Sequence, residues 1–367
     1  MEKILSNRQG TLLIICSAIA TKIQRLPSVI ASDLKNDGWL AGLFLFLIDA
    51  LFIFLVCLIM ENLNELTIYE IIEKSVGKFI SRVFCLVFIL FFFMKSVIAF
   101  KGTHEFFATT IFDMVSWQVF SILLILLLLL MVSKGLRVIG RSAELYIYLI
   151  LFGFVCAILL GASATDFSKM FPVFDNNASK FITSIPKYTL HFGDYLIVLF
   201  FMGNIKEPTK KIKWVYAGAN LVVGIFACFA YIVFYGIYEN VAEYQPHALA
   251  DITQFSLIGL GLGRLDWFLI LFVLIATFIS TALYIWITVY SINYLINKKK
   301  CTYITLFILL CLYFIEFFVF KDTESVFNFI QNGFKFFTIG VELLVPIFLF
   351  IFLTIIKVKN KRRRIDA

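Results

Sequence analysis

Ten stretches of about 20 mostly apolar residues follow one another along this chain, each long enough to cross roughly 30 Å of hydrocarbon at 1.5 Å rise per residue. They occupy residues 10–34, 39–60, 80–101, 116–133, 142–161, 188–205, 213–238, 266–296, 302–320 and 333–356. With 61% hydrophobic residues and a mean hydropathy of +0.95, the chain lies outside the range of soluble globular domains. Inside a bilayer only helices and closed barrels satisfy their backbone polar groups, and runs such as Phe120 to Met131 lack the alternation of a barrel strand. The expected fold class is therefore an all-α polytopic membrane protein, one membrane domain over residues 1–367.

The first stretch could imitate a cleavable leader, since Lys3 and Arg8 precede an apolar run ending Ala18-Ile19-Ala20. Hydrophobicity resumes at Leu26 to Ala31 and nine more spans follow, so a permanent, broken first helix is expected. Lysines and arginines set the orientation. With the amino terminus inside, 21 fall on the cytoplasmic side and 7 outside, so both termini are expected to be cytoplasmic. The same distribution accounts for the net charge of +8 without nucleic acid. The one dense basic run, Lys357 to Arg364, sits beside the last span, where it reads as a topology anchor against the lipid bilayer.

Nothing in the chain has the spacing of a catalytic or metal centre. Cys16, Cys57, Cys85, Cys156, Cys228 and Cys311 lie within spans, Cys301 lies at a membrane edge, and none forms a CxxC pair. His104, His191 and His247 are in separate segments. Gly259-Leu-Gly261-Leu-Gly263 lacks the spacing and strand context of a nucleotide fingerprint and reads as an outer loop. No enzyme, metal or cofactor is expected.

The two halves share an order of features. Span one is interrupted around Lys22; a tight turn, Lys35 to Gly38, an unbroken span and a long loop follow. Span six is interrupted at His191-Phe192-Gly193-Asp194 and is followed by a polar turn, an unbroken span and a long loop from Glu239 to Leu265. Each long loop holds a candidate helix. Thr67-Ile-Tyr-Glu70 is a capping-box pattern opening an amphipathic helix with Ile68, Ile72 and Phe79 on one face, and Ala250 to Leu260 offers another. Five spans per half invert the second half relative to the first. The expectation is a five-plus-five inverted repeat, about 10–161 and 188–356, whose broken helices line a midplane site.

Several local motifs carry a family resemblance: Leu26-Pro27 with Asp37-Gly38-Trp39, Gly77-Lys78, Lys134-Gly-Leu-Arg-Val-Ile-Gly-Arg141-Ser-Ala-Glu144, Phe171-Pro-Val-Phe174 and Arg264-Leu-Asp266. In that order, within ten spans, the chain resembles the amino acid/polyamine/organocation transporter superfamily and, within it, the B subunit of bacterial spore germination receptors. The resemblance implies a LeuT-like fold serving as a sensor in the spore inner membrane. It also implies a small-molecule germinant, an amino acid or other small nutrient, and partnership with a receptor A subunit and a lipoprotein C subunit. A cation-coupled amino acid transporter of the same superfamily is the alternative.

Charge at bilayer depth costs at least about 2.5 kcal/mol, which singles out the breaks. The candidate ligand residues are Thr21, Lys22, Ile23, Gln24 and Arg25 in span one and His191, Phe192, Gly193 and Asp194 in span six. Relatives usually carry small or glycine-rich residues before the Leu-Pro, where this chain has Ala20-Thr21-Lys22-Ile23-Gln24-Arg25. Three readings of Lys22 and Arg25 stay open: snorkelling or structural pairing, contact with an anionic ligand group, and a gating ion pair, with Asp194 the natural partner. Spaced three apart, the two cations would share a helix face and make a cationic pocket suited to a carboxylate-bearing germinant. Asp49 is expected to pair inside the bundle, and Lys95, Glu316 and Glu342 to be partly exposed. Ser280-Thr281 resembles the hydroxyl pair that, with a carbonyl such as that of Ala20, holds sodium in some superfamily members. Interhelical packing is the competing explanation.

Overall fold

The computed structural model describes residues 4–61, 66–107, 117–171, 178–206, 209, 211–259, 266–297, 302–320 and 323–365. The described chain is helical throughout, with a lone bridge between Leu5 and Ile205 tying the amino-terminal segment to the chain after the sixth span. The first helix, α1 (Asn7–Gln24), starts at a capping box in which Ser6 and Gln9 satisfy each other's backbone amides. Its axis ends at Arg25, and α2 (Leu26–Leu34) begins immediately with Pro27 in its first turn. Pro27 has no N–H to donate back into α1, and its ring is accommodated where the first-turn amide is unused anyway. The interruption is thus a single residue at Arg25. Thr21 to Gln24, expected to be unwound, are helical.

A short 3-10 turn, Lys35–Asp37, leads into α3 (Gly38–Glu61). Next come α4 (Ile68–Val76) and α5 (Lys78–Phe106), joined at Gly77, whose φ of 97° reverses the chain where an L side chain would be strained. The Thr67–Glu70 capping box forms as expected, and Ile68 and Ile72 are buried. Phe79 does not join that face. It belongs to the first turn of α5 and is 80% exposed.

Helices α6 (Trp117–Lys134) and α7 (Leu136–Ala162) meet at Gly135, and α8 (Ala178–Ser184) runs into a 3-10 segment, Ile185–His191. Phe192 and Gly193 interrupt this second broken element before α9 (Asp194–Phe201). The remaining helices are α10 (Ile212–Tyr238), α11 (Ala248–Gly259), α12 (Asp266–Leu295), α13 (Thr302–Phe314), α14 (Thr323–Asn328) and α15 (Lys335–Ile365). The expected outer-loop helix is α11; Leu260 and most of the glycine run lie outside the described residues, as do Pro172 to Phe174, Arg264 and Cys301.

By length and hydropathy, seven described stretches suffice to cross a membrane: Leu26–Glu61, Lys78–Phe106, Leu136–Ala162, Ile212–Tyr244, Ile270–Leu295, Thr302–Val319 and Asn332–Ile356. The three expected spans missing from this set have identifiable causes. Span one is cut at Arg25 and carries Lys22, Arg25 and Asp33, span six is divided at Phe192–Gly193, and span four forms a shorter apolar helix, Val119–Lys134. The core centres on α1, which packs against α10, α12 and α7, and on the second broken element, which packs against α3 and α15. Gly38 and Gly42 let α3 approach Tyr235 and Tyr231 of α10, which brings α10 within reach of the first break.

Candidate ligand site at the broken helices

Lys22 lies one turn before the end of α1 and is 0% exposed. A fully buried ammonium persists only with counter-charges and hydrogen bonds, and both are present. Lys22 Nζ donates to Asp194 Oδ2 at 2.5 Å and to Asp49 Oδ2 at 3.2 Å. Its Nζ also lies 4.5 Å from the ring centroid of Phe192 and 5.0 Å from that of Phe46, two rings in edge-to-face contact with each other.

Asp194 sits at the head of α9 because Gly193, with φ of 76°, turns the chain into it. The break would leave the first amide of α9 without a partner. Asp49 Oδ1 accepts that N–H at 2.9 Å, so one carboxylate both pairs with Lys22 and caps α9. Ser17 Oγ donates to Asp194 Oδ1 at 2.7 Å and lies 3.1 Å from the Tyr284 hydroxyl. Lys95, on α5, donates to the Phe192 carbonyl, and its Nζ is 3.9 Å from Asp194 Oδ1. Backbone carbonyls around the first break are held by two α10 tyrosines: Tyr231 donates to Lys22 O at 2.5 Å and Tyr235 to Pro27 O at 2.8 Å.

This arrangement corrects the expectation of a cationic pocket. Lys22 and Lys95 face Asp49 and Asp194, two cations against two anions, so Lys22 is committed to the ion cluster, while Arg25 lines the neighbouring cavity. Asp49 pairs inside the bundle as expected. Lys95, Glu316 and Glu342 are buried instead of partly exposed: Glu316 Oε1 lies 2.7 Å from His104 Nδ1, and Glu342 faces Gly193. Lys101, counted with the outer cations, is also buried and donates to Phe320 O at 3.3 Å.

Beside the ion cluster is a cavity of about 30 Å³, lined from the first broken helix by Ala20, Gln24 and Arg25, from α5 by Ile98, Ala99, Gly102 and Thr103, from α12 by Leu274 and Thr277, and by His191. Both polar atoms of the Gln24 amide and the Thr277 hydroxyl are buried there with no hydrogen-bond partner among the described residues. The site residues expected from sequence therefore separate. Lys22, Phe192, Gly193 and Asp194 form the ion cluster, Gln24, Arg25 and His191 line the cavity, and Ile23 packs in the apolar core. Thr21 contributes helical backbone. Ala20 lines the cavity, whereas the Ser280 and Thr281 hydroxyls donate to their own helix, to Ala276 O and Thr277 O at 2.8 Å each. Among the described residues no group of three or more His, Cys, Asp or Glu side chains is arranged to hold a metal ion.

Sequence reasoning passed over Ser17, Thr103, Thr277, Tyr231, Tyr235 and Tyr284. Hydroxyls in apolar spans are common packing residues, and no spacing distinguishes those that reach a break. Lys95 had a signal: it stands between Phe91-Phe92-Phe93-Met94 and Val97-Ile98, at a depth as apolar as that of Lys22.

An all-helical membrane bundle in which two interrupted helices meet over a buried, charge-balanced cluster is a transporter-like membrane protein. The chain belongs to the spore germination protein family, the spore permeases, whose family model matches residues 4–326. Among curated relatives it is similar to spore germination protein KB of Bacillus subtilis (strain 168), 23% identical over 306 residues, covering 82% of this chain and 81% of that protein. Similarity to spore germination protein YndE of the same organism is 22% over 284 residues, covering 76% and 78% of the two chains.

Proposed function

We propose that this protein is the germinant-sensing subunit of a spore nutrient receptor, binding a small nutrient at the breaks of its first and sixth spans and acting with a receptor A subunit and a lipoprotein C subunit. In this reading it has ten transmembrane helices in a LeuT-like five-plus-five inverted repeat, with both termini cytoplasmic, in the spore inner membrane. Element order supports the repeat. The broken pair α1 and α2, the continuous α3, the loop helix α4 and then α5 are matched by the broken segment ending in α9, the continuous α10, the loop helix α11 and then α12.

The observation that carries the ligand site is the Gln24 cavity. A buried polar group without a partner costs about 1–3 kcal/mol, so a ligand that supplies the missing hydrogen bonds to Gln24 and Thr277 is favoured there. At about 30 Å³ the cavity has room for little more than one water molecule. A nutrient must therefore enlarge it, and the break at Arg25 with the 3-10 segment at His191 supplies two joints that can move. Ligand that binds the opened arrangement alone shifts the population toward it by its differential affinity, which is how occupancy becomes a signal.

Gln24→Met keeps the length of the side chain and removes its hydrogen bonds. Spores carrying it should germinate only at much higher nutrient concentration, with normal amounts of protein in the membrane. An unchanged dose response would remove Gln24 from the site. Co-purification of the A and C subunits tests the assembly, whereas nutrient uptake by the purified chain alone in liposomes would favour the cation-coupled transporter.

A further inference from the structure

A second cavity, about 180 Å³, lies between α3, the second broken element and α15, and shares no lining residue with the Gln24 cavity. Phe52, Phe192 and Tyr195 form an aromatic wall, and Glu342 brings a carboxyl group to a lining in which Asp49 and Thr189 are the other polar side chains besides the Tyr195 hydroxyl. Glu342 is 7% exposed, and its Oε1 has no hydrogen-bond partner among the described residues. The missing side chain at Gly193 leaves the carboxyl directly against the turn. Asp49 also reaches this wall, but its oxygens are occupied by Lys22 and by the Asp194 amide. Among the described residues no ion pair reaches Glu342, and Lys22 and Lys95 already face two aspartates. Leu343 borders the cavity and is 52% exposed, so the space opens toward the lipid-facing side of α15.

We propose that this cavity binds a small monocationic amine with a compact apolar body, its ammonium group on Glu342 and its body against the aromatic wall. Three properties select that chemistry. A carboxylate buried with no ion pair of its own is costly in such a space, and an ammonium that binds as the acid gives up its proton supplies both the charge and the hydrogen bonds it lacks. Aromatic faces attract the same cation. Size sets the body: a cavity of about 150 Å³ accepts benzene, so about 180 Å³ accommodates a six-membered ring with one short substituent. A zwitterionic amino acid fits poorly, because its carboxylate would meet Glu342 with no cation to receive it. Nothing that selects this ligand rests on what the Gln24 cavity takes, since the two cavities share no lining residue.

Benzylamine and its neutral isostere benzyl alcohol are the probes, titrated into the full-length protein in nanodiscs and measured by calorimetry against empty nanodiscs. Wild type should bind benzylamine saturably and the alcohol on the order of tenfold more weakly or worse. Glu342→Gln should bring the amine down to the affinity of the alcohol while leaving the alcohol unchanged. Ile339→Trp fills part of the cavity and keeps the carboxyl, so it should weaken both probes. Equal binding of the two probes by wild type overturns the proposal, as does undiminished benzylamine affinity in either variant. If Glu342→Gln does not accumulate, the wild-type comparison and Ile339→Trp decide.

Discussion

Replacing Lys22 by Met removes a charge while keeping most of the stem volume, and the structure fixes what remains behind. At an effective dielectric near 20, contacts of 2.5 and 3.2 Å correspond to gross attractions of about 7 and about 5 kcal/mol. Desolvation of three fully buried groups offsets most of this, so the attraction is not the stability lost. The loss comes from the carboxylates left without a partner, and removing one member of such a pair costs about 3–5 kcal/mol. Cys16, Cys57 and Cys85 are buried, so unfolding can be followed by their exposure to a thiol-reactive dye in detergent. At about 2 °C per kcal/mol for a large domain, Lys22→Met should lower Tm by about 6–10 °C. Adding Asp194→Asn removes one of the two carboxylates stranded by the loss of Lys22 and leaves the cluster with one anion, Asp49, and one cation, Lys95, so the double variant should recover on the order of 2 kcal/mol. A Lys22→Met protein within about 1 °C of wild type, or a double variant at least as unstable as the two single losses added together, would refute the argument from charge balance.

Four further outcomes follow from the geometry. Gly193→Ala forces a side chain into the left-handed region and against the Glu342 carboxyl, costing at least about 1–2 kcal/mol in the same dye assay, whereas Gly102→Ala, where a methyl group meets nothing, should cost less. Tyr235→Phe leaves the Pro27 carbonyl without its donor and should lose about 1–3 kcal/mol. Cysteines at the exposed positions Lys180 and Lys211 should label from opposite sides of the membrane; labelling from one side would refute the orientation. In the outer segment, burial and the nearby Arg25 guanidinium push His247 down to about 4, and burial pushes Asp251 up to about 7 despite the His247 N–H at 3.1 Å and Arg25. The folded state therefore favours neutral His247, a contribution present above 6.5 and lost as pH falls to about 4, and neutral Asp251, a contribution present below 3.8 and lost as pH rises to about 7. The two slopes oppose each other in wild type. Asp251→Asn should make stability rise with pH over roughly 4 to 6.5, and His247→Asn should make it fall, each by about 1.4 kcal/mol per unit.

The class of fold was legible because apolar run length is a one-dimensional property: the bilayer imposes it on each span separately, whatever the neighbours. Breaks were legible for a similar reason, since Pro27 and Gly193 act on their own backbone. Their extent was not. Where α1 stops depends on α10 supplying Tyr231 and Tyr235 to the carbonyls of Lys22 and Pro27, a tertiary contact across more than 200 positions of sequence. The Lys22–Asp194 pairing followed from both residues being charges at bilayer depth beside a break. The sign of the site did not, because that depended on Asp49 and Lys95 turning inward from α3 and α5 to the same point.

Charge balance also bears on how the site can work. Had Lys22 stood unpaired, an anionic ligand would have been required to stabilise the fold, and the empty protein would have resisted assembling around it. With Lys22 held by two carboxylates and the first amide of α9 capped by one of them, the broken helices close without ligand. Among the described residues, the buried atoms without a hydrogen-bond partner include the neutral Gln24 amide and Thr277 hydroxyl on one side of the break and Glu342 Oε1 on the other. The cluster therefore sets the resting state, and the two flanking cavities are where a ligand has free energy to gain. A ligand in either one acts on the same Phe192–Gly193 turn: through His191 from the Gln24 side, and through Phe192 and Gly193 themselves from the Glu342 side. Two chemically different ligands would then be coupled through one joint, reciprocally, each changing the other's affinity by the same factor.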